Sequence, residues 1–271
     1  STQLVLVSYR EANYQRKIWW GGMSLKKLDI PFGISADDKM VSIPIIFPHR
    51  NHCFITGAPG SGKSTLLKVI IDSIGEKSDK SQVAIWTDYF SHNYEKCPSD
   101  SIIEVCVPER GHEERMIALF DRLYEEAQNK LETISRIRVS SYSQVDSLPL
   151  LIAVIDDLFP FDYSDRGRYA SEKLWSVLRM SHAVGISLIC SCQLPLSKLN
   201  GMTSAMADLF NIRIVLRAFQ DCIFEALDFS PSRVSVETKE AIDNLAYGQP
   251  GEFLYFNRYE PESLIRGQVK L

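Results

Sequence analysis

Residues 57–65 read GAPGSGKST, and their surroundings make that run a strong constraint on the fold. The apolar strand HCFITG leads into it, and KSTLLKVIIDSI, apolar at helical spacing, leads out. A strand that turns through glycines straight into a helix is a specific piece of architecture. Gly57, Gly60 and Gly62 let the backbone turn so that successive N–H groups point inward. The dipole of the helix that begins there adds to the same positive field.

From His52 onward strand and helix alternate, which predicts an α/β domain with a mostly parallel central sheet flanked by helices. After the first strand–loop–helix unit come strands QVAIWTD and SIIEVCV. A long amphipathic helix follows in GHEERMIALFDRLYEEAQNKLETISRI, and then the apolar strand LPLLIAVIDDLF. Helix RYASEKLWSVLRMSHAV, strand GISLICSCQ, helix TSAMADLF, strand NIRIVLR, helix QDCIFEALDF and strand GEFLYFN complete the pass. Residues 1–47 are set apart as a β-rich lead-in packed on the core, with 48–271 as the main domain. In the lead-in, the patches LVLVSY, DIPFGIS and MVSIPIIF read as short strands, and Trp19 and Trp20 as anchors to the core.

The loop's chemistry is that of a nucleoside triphosphate site. The backbone of Gly57, Gly60, Ser61 and Gly62 cradles phosphate, and Lys63 reaches the β- and γ-phosphates of ATP. The Ser64 hydroxyl is placed to ligate Mg²⁺, and Thr65 to touch the α-phosphate. The strand LLIAVIDDLF ends in two acids. Asp156 fits a Mg²⁺ partner acting through water, and Asp157 a base that polarises the attacking water. Gln193 ends the strand GISLICSCQ, where an amide can sense the γ-phosphate; taken alone, it reads equally as a loop glutamine.

Charge and cysteines narrow the partners. With 30 Lys+Arg against 34 Asp+Glu the net charge is −4, and no basic cluster offers a track for nucleic acid phosphates. Cys53, Cys190 and Cys192 fall in apolar strands, while Cys97, Cys106 and Cys222 are scattered, so reduced thiols are expected rather than disulfides or zinc. His92 and His112 lack metal-ligand spacing. No apolar stretch approaches the ~20 residues of a membrane span, and no secretory signal is present. The first residue is Ser rather than Met, which suggests a piece of a longer protein.

The three motifs in this order resemble the FtsK/SpoIIIE/HerA branch of RecA-like ATPases, from about Ile30 to about Phe256. The most specific stretch is LRMSHAVGISLICSCQLPLSKLNGMTSAMADLFNIRIVLRAFQDCIFEAL, and Asp88 also falls where that branch carries an aspartate. Within the branch the chain is most similar to the ATPase modules of the type VII secretion coupling proteins EssC and EccC, the C-terminal one in particular. The lead-in IPFGISADDKMVSIPIIFPHRNHCFITG, the acidic balance and the lack of a basic winged-helix tail point that way.

The resemblance implies ATP and Mg²⁺ as cofactors, neighbouring ATPase modules and secreted helical-hairpin proteins as partners, and a role in virulence-associated protein export. It also implies a place at the cytoplasmic face of a bacterial membrane through the parent protein. The departures are Asp157 where the branch has Glu, His182 where DNA translocases have Arg, and Leu194 where they have Arg before the proline. These leave nucleotide binding intact and point to slow or conditional hydrolysis. A DNA translocase, or a nucleotide-binding receptor without turnover, are the alternatives. Arg166, Arg168 and Arg179 are candidates to complete a neighbour's site.

Overall fold

The computed structural model describes residues 26–47, 52–77, 83–87, 102–105, 112–139, 142–145, 148–158, 164–260 and 264–270. The expected strand LVLVSY, Trp19, Trp20, Asp88, His92, Cys97 and Cys106 lie outside them. In chain order the elements open with β1 (Lys26–Ser35), β2 (Met40–Phe47), β3 (Cys53–Thr56), α1 (Lys63–Lys77), β4 (Val83–Thr87) and β5 (Ile102–Val105). The middle is α2 (His112–Arg136), β6 (Leu150–Ile155), α3 (Asp165–Val184) and β7 (Ile186–Cys192). Then come α4 (Ser204–Ala207), β8 (Ile212–Leu216), α5 (Gln220–Leu227), α6 (Val236–Ala246), β9 (Glu252–Asn257) and β10 (Ile265–Val269).

All ten strands form one sheet in the order β2-β1-β10-β9-β8-β3-β7-β6-β4-β5. Strands β8, β3, β7, β6, β4 and β5 run parallel. The β2-β1-β10-β9-β8 side is antiparallel throughout. The sheet is therefore mixed rather than clearly mostly parallel. Two of the antiparallel pairings have a local cause: β1–β2 and β9–β10 are joined by short connections, which reverse the chain rather than cross it over. β10 escapes a sequence reading because IRGQV is short and shows alternate polar residues, Arg266 and Gln268, to solvent.

The parallel strands at the centre are buried along their whole length. Every residue of CFIT, LLIAVI and ISLICSC is buried, as helices on both faces of a sheet require. α2 meets this core through Met116, Leu119, Phe120, Leu123 and Ala127, the stripe its periodicity predicts, and lies against α3. α3 is capped by Ser164, whose hydroxyl accepts from the Gly167 N–H, and stops at Gly185 with φ 70°. A Cβ on Gly185 would lie 2.5 Å from the Tyr142 ring.

Two stretches differ from expectation. TSAMADLF is helical only over Ser204–Ala207, because Leu209 and Phe210 leave the helix to enter the core. α6 has no counterpart in the sequence reading: Ser235 caps it, but only Ile242 and Leu245 are buried on it, too few to give a periodic signal.

His52 ties the centre together. Fully buried, it accepts the Leu188 N–H at Nδ1 (3.0 Å), so Nε2 carries the proton and donates to Ser181 Oγ at 2.9 Å. Ser181 Oγ donates in turn to the Leu178 carbonyl of α3 at 2.8 Å. The residue that enters β3 is thus pinned to β7 and α3 together.

Candidate functional site

β3, β7 and β6 are neighbours in the sheet, so their C-terminal ends bring together three segments far apart in sequence. These are the loop 57–62, the turn at Asp156–Asp157 and Gln193. In the loop, Gly60 (φ 72°) and Gly62 (φ 103°) take left-handed conformations that favour glycine. Gly57 is required by proximity instead, since a Cβ there would come within 2.5 Å of Ser61 Oγ. The loop is braced on two sides: Ala58 N–H donates to the Arg217 carbonyl after β8 (2.8 Å), and Ser61 carbonyl accepts the Gly251 N–H before β9 (2.9 Å). Ser61 is buried, whereas Ser64 and Thr65 are exposed in the first turn of α1.

Lys63 is half-buried, and its ammonium donates to the carbonyls of Gly57 (2.8 Å) and Ala58 (3.2 Å). Burial pulls its pKa below the usual lysine range, opposed by the charges of Asp157 and Asp156. A cation held on its own loop's carbonyls is well placed to be drawn onto an anion.

The acidic turn reaches the loop. Asp156 Oδ2 accepts from Ser64 Oγ at 3.2 Å, and Asp156 Oδ1 from Ser191 Oγ at 2.6 Å. Asp157 is exposed with φ 56°, and its N–H donates to the same Ser191 Oγ at 3.0 Å. Gln193 is exposed just past the end of β7, whose Cys192 stands in register with Thr56 of β3. Cys53, Cys190 and Cys192 are buried thiols on β3 and β7. The arginines of α3 are engaged locally: Arg166 with Glu114 at 3.3 Å, Arg168 with Asp165, and Arg179 over the Trp175 ring.

Sequence reasoning did not identify Ser191, nor the residues of a cavity of about 810 Å³ that begins at Ala58. Arg217, Phe219 and Gln220 line it from the start of α5, and Asp243 and Tyr247 from the end of α6. Phe219 and Tyr247 are 83% and 89% exposed, unusual for aromatic side chains. Both flank helices at positions without periodic context, so the sequence carried no signal for them.

These groups fit ATP and Mg²⁺. Ser64 and Asp156 offer a hydroxyl and a carboxylate oxygen, the hard donors Mg²⁺ selects. Lys63 and the N-terminus of α1 supply positive field beside them. The cavity that adjoins the loop at Ala58 is lined by aromatic and amide groups, a lining a nucleoside can use.

Comparisons with known proteins bear on the fold. The pCW3 conjugation coupling protein TcpA, solved with ATPgS, superposes with a TM-score of 0.62 at 19% identity, over 91% of this chain and 66% of that one. EssC (ATPases 2 and 3) from Geobacillus thermodenitrificans gives 0.63 at 15% identity, over 90% and 44%. The cytoplasmic domain of the Thermomonospora curvata type VII secretion ATPase EccC gives 0.62 at 20%, over 89% and 28%. At these identities the likeness is one of fold, an α/β RecA-like ATPase fold with a mixed sheet. The chain spans at most about two thirds of each of these structures. A search of curated proteins by sequence gave no match. The family model of FtsK/SpoIIIE matches residues 11–161, more than half of the sequence, and the chain belongs to the FtsK/SpoIIIE family.

Proposed function

We propose that this chain is an ATP-binding module of a type VII protein secretion ATPase, coupling nucleotide to the recognition or export of small helical secreted proteins. The observation that carries the nucleotide part is the meeting of Ser64 and Asp156, 92 residues apart in sequence, at 3.2 Å beside Lys63. Family membership implies ATP and Mg²⁺. When bound, Mg·ATP supplies the reactive phosphoanhydride. Gly57, Gly60, Ser61 and Gly62 form the cradle, Lys63 and Thr65 contact phosphate, and Ser64 and Asp156 hold the metal. Asp157 positions water, Gln193 contacts the γ-phosphate, and the cavity beside Ala58 takes the base. The division into a lead-in at 1–47 and a nucleotide-binding domain at 48–271 belongs to the same reading.

The secretion part draws on fold likeness. Thermomonospora curvata EccC (ATPases 2 and 3) was solved in complex with a signal sequence peptide, and superposes with a TM-score of 0.60 at 15% identity. Placement at a membrane would come through a parent protein, since among the described residues no helix is long and apolar enough to cross one.

Calorimetric titration with ATP, with and without Mg²⁺, tests the site. Asp156→Ala should remove the Mg²⁺-dependent gain in affinity and keep metal-free binding. An unchanged gain would refute the metal assignment. A second reading, a nucleotide-dependent receptor with little turnover, is favoured by the short Asp157 side chain. ATP affinity far stronger than the isolated chain's turnover implies would support it.

A further inference from the structure

We infer that Ser191 is a positioning residue for the metal site: its hydroxyl aims the Asp156 carboxylate at Ser64 and fixes the turn that carries Asp157. The inference rests on the reading of Asp156 as the Mg²⁺ partner.

Ser191 is fully buried near the end of β7, one strand away from β6. A hydroxyl has one proton and two lone pairs, and here the proton and one lone pair are directed. The proton goes to Asp156 Oδ1 at 2.6 Å, a charge-assisted length, and the Asp157 N–H donates to the oxygen at 3.0 Å. The Ser191 carbonyl takes the Leu158 N–H at 2.6 Å. One residue therefore binds three consecutive residues of the acidic turn.

The consequence falls on the carboxylate plane. An aspartate's last torsion is broad and close to two-fold, so an untethered Asp156 samples many orientations. Anchoring Oδ1 to a buried group leaves Oδ2 facing Ser64. Mg²⁺ would draw on a lone pair of Ser64 Oγ, leaving its proton free to face Asp156 Oδ2. The Ser191 bond, on the other oxygen, would hold the carboxylate in place. Groups that orient a metal ligand in this way typically change metal affinity by about 10–100-fold when removed. The Asp157 N–H bond also steadies a backbone at φ 56° that non-glycine residues seldom hold.

The experiment uses the full chain saturated with a non-hydrolysable ATP analogue and reads Mn²⁺ affinity by electron paramagnetic resonance, alongside analogue affinity in EDTA. Ser191→Ala should weaken Mn²⁺ binding about 10–100-fold and leave metal-free nucleotide binding unchanged. Ser191→Thr, which keeps the hydroxyl, should retain wild-type metal affinity. Ser191→Cys, with similar shape and only a weak donor, should show the loss even if the alanine variant is unstable. A purely structural Ser191 would lower the melting temperature of all variants without a selective effect on Mn²⁺. Wild-type Mn²⁺ affinity in Ser191→Ala, alongside its loss in Asp156→Asn, would overturn the inference. Retention in Asp156→Asn as well would overturn the metal assignment beneath it.

Discussion

Lys63, the cation of the proposed phosphate site, is held at a cost to the fold. Its depressed pKa means that the folded chain holds the proton less tightly than the unfolded chain. At neutral pH the charge therefore disfavours folding, and stability rises as pH climbs through the folded pKa toward the unfolded one. Lys63→Met should bind ATP more than about tenfold more weakly, as loss of the loop's lysine implies, yet melt no lower than wild type. It should also lose part of the stability gain at alkaline pH, measurable by thermal melts across that range. Asp157 poses the opposite trade. Its φ of 56° suits Asp and Asn better than longer residues. Asp157→Glu should raise ATP turnover in an assembled parent, provided a neighbouring module supplies an arginine, and cost the isolated chain up to about 1 kcal/mol. Unchanged turnover in the assembly would make Asp157 a residue of the turn alone.

Among the elements, those that run on strong periodicity are legible in residue order alone. The β3–loop–α1 unit, the apolar β6 with its acids, and the α2 stripe all belong to that group. What stays hidden depends on pairing across the sheet. α6 buries only Ile242 and Leu245, β10 reads as a polar strip, and the antiparallel half follows from connection lengths, not from apolar pattern. At the candidate site, the glycine-rich loop and the Asp156 turn stand out in residue order because their pattern is local. Ser191 does not: a serine in ISLICSC gains meaning only when β7 lies beside β6. His52 is a similar case, a buried ring linking β3, β7 and α3. His52→Ala removes the acceptor of a buried N–H, so it should destabilise the chain by about 1–3 kcal/mol, read by chemical denaturation. No shift in the midpoint would show that water replaces the ring without loss.

Across the whole molecule, the charge distribution argues for a partner other than duplex DNA. Cations on several surfaces already face carboxylates: Lys27 with Asp29, Lys198 with Glu225, and Arg258 with Asp208. DNA binding should be weak or absent at physiological salt, while a secreted helical protein or its terminal tail should bind measurably. Sub-micromolar duplex binding that persists at that salt, in an electrophoretic-shift titration, would restore the translocase alternative. The position of β10 has a consequence for how such a chain is made. β1 reaches the rest of the sheet through β10, with Gly33 paired to Val269. Within this chain the β1–β2 hairpin is made well before β10, the strand that docks it. Until β10 is made, Ile30, Phe32, Ile43 and Ile45 lack the sheet they join, and the earlier cover open to them is α1, which packs against β1.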